Sequence, residues 1–169
     1  MRIVDEVGED PRRARVMDLV NYLAAVLVAM LTGVVFLVVG SPSSAGVPWI
    51  RAVLELIARA TPIVIAVALL IGYPLVSLVT KLNLHRAVVV LLAGIAGLAL
   101  GLAVLVVATF IPSLDGIAVF AAMYVSAIGA WCAVGGQLLY PLFRRHPVIA
   151  LCAGVVVIAL AIVGWWVGL

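Results

Sequence analysis

Apolar residues in this chain run in long blocks with few polar interruptions, not in the one-sided three-and-four spacing of a soluble helix. Five blocks stand out, at about 17–39, 61–80, 87–111, 117–140 and 148–168. At about 1.5 Å of helical rise per residue, each is long enough to cross a hydrocarbon core of about 30 Å. None shows the alternation of a transmembrane barrel strand, and helices are the other backbone arrangement that satisfies its own polar groups in lipid. The pattern predicts an all-α, polytopic membrane helical bundle with five transmembrane helices.

Breakers and caps refine the boundaries. Asp10-Pro11, Thr61-Pro62 and His146-Pro147 each place a proline where a helix opens. The stretch 40–48, Gly-Ser-Pro-Ser-Ser-Ala-Gly-Val-Pro, ends the first span. Beyond it, Arg51, Glu55 and Arg59 repeat every four residues, while Ile50, Val53, Leu54 and Ile57 fall on the opposite face. This predicts a short amphipathic interfacial helix at about 49–60, before the chain turns inward at Thr61-Pro62. The competing reading is one long helix over 48–80. Pro74, inside the second span, is expected to kink it or end its regular part early. The domain division is a cytoplasmic segment, 1–16, followed by a single transmembrane bundle, 17–169.

Composition agrees with this picture. Of 169 residues, 67% are apolar and 10% charged, against about 45–50% and 25% in soluble domains. The formal charge of +3 would suggest nucleic acid in a soluble protein, but here its placement matters more. If the five spans alternate, segments 1–16, 81–86 and 141–147 share one side with eight Lys and Arg residues, and the other side has two. That asymmetry predicts a cytoplasmic N-terminus, an external C-terminus and a multi-pass protein of the cell membrane. Arg12, Arg13, Arg15, Arg144 and Arg145 serve orientation and contact with lipid headgroups. Tyr22, Tyr140 and Phe143 are expected at the inner interface, and Trp49, Phe110, Phe120, Trp165 and Trp166 at the outer one. The acidic positions Asp5 to Asp10 and the length of the first block speak against a cleaved signal peptide.

Candidate chemistry is sparse. The interiors of the five blocks lack Asp, Glu, Lys, Arg and His, the groups that mark proton relays and ion paths in membranes. Asp18 lies at the inner edge, to pair with Arg15 or a neighbouring helix, and Asp115 reads as a helix cap. His85 and His146 sit in loops beside arginines, so no haem or metal pair forms. Cys132 and Cys152 read as small packing residues. No nucleophile triad or phosphate loop can be assembled. The expectation is a protein that is not an enzyme, has no cofactor or metal, and does not bind nucleic acid.

The positive signal is helix packing. Ala93, Gly97 and Gly101 form a small-residue ridge in the third span, and Ser126, Ala130, Ala133 and Gln137 follow helical spacing in the fourth. Such faces let helices approach closely where lipid supplies no hydrophobic drive for association. Gln137 is read as the most polar side chain of the bundle. A weak repeat relates Gly72-Tyr73-Pro74-Leu75 to Leu139-Tyr140-Pro141-Leu142, each followed by a basic loop and a helix carrying Ala-Gly. Together these predict a non-catalytic accessory or structural subunit, or assembly factor, of a larger membrane complex. Its partners would be the lipid bilayer and other membrane subunits or further copies of itself. The alternative is a small channel or transporter acting as a homo-oligomer.

Overall fold

The computed structural model describes residues 11–40, 49–81, 86–109 and 117–168, and all of these but His146 are helical. The helices are α1 (Pro11–Gly40), α2 (Trp49–Val67), α3 (Tyr73–Lys81), α4 (Arg86–Thr109), α5 (Ile117–Arg145) and α6 (Pro147–Gly168). A π-helical turn, Ala68–Gly72, joins α2 to α3, and its flanking residues keep right-handed helical dihedrals (φ −65° at Val67, −64° at Tyr73). The stretch from Trp49 to Lys81 is therefore one continuous rod, and the described residues form five rods in all. Three of them, Arg12–Gly40, Trp49–Leu78 and Pro147–Gly168, are long and apolar enough to cross a membrane.

This overturns the separate interfacial helix expected at 49–60. Pro62 lies inside α2 without ending it. The physical reason is tertiary packing: the first half of the rod is held along the last turns of α6. A β-carbon on Gly164 would overlap the Leu54 carbonyl, and one on Gly168 would touch Glu55. Val53, Ile57, Ala58 and Thr61 are all buried. Thr61 donates its hydroxyl to the Ile57 carbonyl at 2.7 Å, so this polar group is satisfied within its own helix. On the exposed side Arg51 and Glu55 form an i,i+4 pair at 3.0 Å. The Trp49–Leu78 stretch has 30 residues, about 45 Å of helix, longer than a hydrocarbon core. The backbone irregularity falls in the π turn directly before Pro74, a common way for a helix to absorb a proline.

The first helix is the hub. Half of its most apolar window is buried, against 22% in the windows of the other two long apolar helices. It packs on α2, α5 and α6, while α2 also pairs with α6 and α4 pairs with α5. Met30, Val34, Ile57 and Val157 are fully enclosed where α1, α2 and α6 meet. A second group, Ala24, Ala25, Phe143 and Ala150, joins α1 to the α5–α6 corner. Tyr22 and Phe143, expected among interfacial aromatics, are buried between helices, whereas Trp49, Trp165 and Trp166 are exposed.

Candidate functional site

The antiparallel seam between α1 and α5 is built from small residues. A β-carbon on Gly135 would come within 2.7 Å of Ala29 Cβ, and one on Gly136 within 2.8 Å of Val26 Cγ2. Further along, Trp131 lies across Gly33, where an added β-carbon would meet its ring at 2.9 Å. The Trp131 indole N–H donates to Thr32 Oγ1 at 3.1 Å, and Thr32 donates onward to the Ala29 carbonyl at 2.8 Å. Phe36 stacks on the outer face of Trp131 with ring planes 4° apart. Close backbone approach of this kind is what van der Waals association requires in lipid.

On its other side α5 meets α4. Gly97 sits so close that a β-carbon would lie 2.8 Å from the backbone N and Cα of Ala130 and from the Gly129 carbonyl. Gly94 faces Val134 with more room, at 3.2 Å from its Cγ2. Of the two small-residue ridges, Ala93 is buried, Gly97 meets Ala130, and Ser126, Ala133 and Gln137 are half-buried. The surroundings of Gly101 lie outside the described residues. The α5 helix thus offers Gly129, Ala130 and Val134 to α4, and Gly135 and Gly136 to α1.

The end of the bundle nearest Pro11 brings together Asp18, Arg144 and three tyrosines. Asp18 pairs with Arg144 of α5 at 3.5 Å, the neighbouring-helix partner of the two anticipated. One turn deeper, the Tyr22 ring lies 6.1 Å from both Tyr73 and Tyr140. Its hydroxyl is pressed against Gly72, the last residue of the π turn, so a side chain at position 72 would displace it. Arg12, Arg13, Arg15, Arg145 and His146 are exposed at this end. Cys152 is exposed and Cys132 buried. Asp115, His85 and Phe110 lie outside the described residues, and so do the N-terminal acidic positions.

Sequence reasoning missed Asn21. It is 2% exposed, and its side-chain oxygen has no hydrogen-bond partner among the described residues. An unpaired buried amide oxygen costs about 1–3 kcal/mol. The signal was legible: an amide among Asp18, Leu19, Val20 and Tyr22 within the first span. Gln137, named as the most polar bundle residue, is the less buried of the two. Among the described residues no group of three or more His, Cys, Asp and Glu comes together.

The fold defines an all-helical protein with helices of membrane-spanning length. Comparison with family models, curated proteins and solved structures returns no match.

Proposed function

We propose that this chain is a non-catalytic, multi-pass subunit of a larger complex in the cell membrane, with five spans, a cytoplasmic N-terminus and an external C-terminus. The observation that carries the reading is the position of α4. It rests on α5, and beside that contact Ala87, Val90, Leu91, Gly94, Ile95 and Leu98 border an open apolar groove of about 350 Å³, closed at one edge by Val134. These residues recur at three and four along one helix face. A helix of another membrane subunit fits such a seat by knob-and-hole contact. Orientation is supported by the eight-to-two distribution of Lys and Arg.

The test is purification in mild detergent followed by native mass measurement, with a photo-crosslinking residue at Leu91 or Leu98. The expected result is a stable hetero-complex whose crosslink from Leu91 joins a second, different membrane protein. A symmetric homo-oligomer would favour the small channel or transporter. A monomer without crosslinks overturns both readings.

A further inference from the structure

The end of the bundle nearest Pro11 carries an unbalanced charge that packing makes local. Asp18 is the sole carboxylate in residues 11–18 and 141–147, where the sequence places five arginines. The Asp18 to Arg144 contact ties the start of α1 to the end of α5, so arginines far apart in sequence share one rim. Arg15 precedes Asp18 by three residues on a helix and therefore lies on the same face, one turn nearer the chain end. Arg144 engages Asp18 through Nε while its side chain stays 66% exposed, leaving most of its five guanidinium donors open. Beside these groups Val16, Met17, Leu142 and Val148 expose apolar side chains.

From this arrangement we propose that Arg15 and Arg144 hold the phosphate of an anionic phospholipid at the α1–α5 rim. Two guanidiniums with parallel N–H pairs match phosphate oxygens. Asp18 acts as a positioning residue that fixes one of them. The apolar side chains alongside give the acyl chains a surface, and this selects a lipid over a free anion as occupant. The opposite end of the bundle has fewer arginines, Arg51 and Arg59, and Arg51 there is paired with Glu55. Acidic positions 5–10 lie outside the described residues, so the full chain is used in the test.

The experiment measures binding of phosphatidylglycerol and phosphatidylcholine to the delipidated, detergent-purified chain by native mass titration. Phosphatidylglycerol is expected to bind at least about 10-fold more tightly, with the preference falling as salt is raised. Arg15→Gln with Arg144→Gln should weaken phosphatidylglycerol binding about 10- to 30-fold. Arg51→Gln with Arg59→Gln should leave it unchanged. If the first double variant loses helix content, the salt dependence and headgroup preference of the unmodified chain still decide the matter. Equal binding of the two lipids, or retained preference in a folded Arg15/Arg144 variant, overturns the proposal. Displacement of phosphatidylglycerol by millimolar inorganic phosphate would assign the rim to a free anion and overturn the lipid assignment.

Discussion

Adding one methyl group at Gly97 and one at Gly94 should move stability in opposite directions. A β-carbon at 97 would meet Ala130 and Gly129 backbone atoms at 2.8 Å, and ordinary contact begins near 3.5 Å. Backbone cannot rotate away, so α4 and α5 must part by roughly 0.7 Å at that point. A gap of that size forfeits a quarter to a half of the attraction of each atom pair it opens. Overpacking of this kind costs about 1–3 kcal/mol. Replacing a mid-helix glycine returns up to about 1 kcal/mol of propensity, which leaves Gly97→Ala destabilising by up to about 2 kcal/mol. At Gly94 the neighbour is Val134 Cγ2 at 3.2 Å, a side-chain methyl that can give a few tenths of an ångström. Gly94→Ala should therefore be neutral or stabilising by up to about 1 kcal/mol. Gly97→Leu should separate the helices outright, whereas Val106→Leu adds apolar bulk at an exposed position and should be tolerated. The assay is reversible unfolding in mixed micelles of dodecylmaltoside and increasing dodecyl sulfate, followed by circular dichroism. Equal midpoints for Gly97→Ala and Gly94→Ala would refute the reasoning.

Three further outcomes are expected. Asn21→Leu keeps the branched side-chain skeleton in a somewhat larger residue and removes the unpaired amide oxygen, so the same unfolding assay should show stabilisation of about 1–2 kcal/mol; a loss of stability above about 1 kcal/mol would count against an unpaired amide. Trp131→Phe removes the indole donor to Thr32 while retaining a ring over Gly33, and should cost about 0.5–1.5 kcal/mol, with an unchanged midpoint counting against that bond. For topology, cysteines placed at Ser44 or appended after Leu169 in the full chain lacking Cys132 and Cys152 should react with an impermeant maleimide from outside intact cells, and one at Asn83 should not. Labelling at Asn83, or protection at either of the other two sites, would sink the five-span orientation.

The helical class and most rod limits were legible because lipid-compatible helices need long apolar blocks and because Pro147 opens α6 where the sequence places it. The rod from Trp49 to Lys81 was misread for an identifiable reason. A charged stripe at Arg51, Glu55 and Arg59 followed by Thr61-Pro62 has the local form of an interfacial helix and a turn. What keeps it continuous is the approach of Gly164 to the Leu54 carbonyl, a partner 110 positions away that no local pattern contains. The same limit applies to the small-residue spacings. Four-residue periodicity identifies a face without naming its neighbour, so Gly97 against Ala130 is visible only in three dimensions. Asn21 was overlooked because attention to ionisable groups passes over a neutral amide, although burial penalises both.

Read as hairpins, the weak sequence repeat would pair α2 and α3 with α4, and α5 with α6. The contacts among these helices instead run from α2 to α6 and from α5 to α4. The two Tyr-Pro segments are brought together by α1, through Tyr22. Tyr73 and Tyr140 stand at equal ring distances from Tyr22. The two neighbours are not equivalent. On the α3 side the π turn brings Gly72 against the Tyr22 hydroxyl, while Tyr140 is carried by the ordinary helix α5. The central position of α1 thus follows from its packing on α2, α5 and α6 together. Its polar residues Asp18 and Asn21 lie in the turn around Tyr22, the part of α1 that both Tyr-Pro motifs approach.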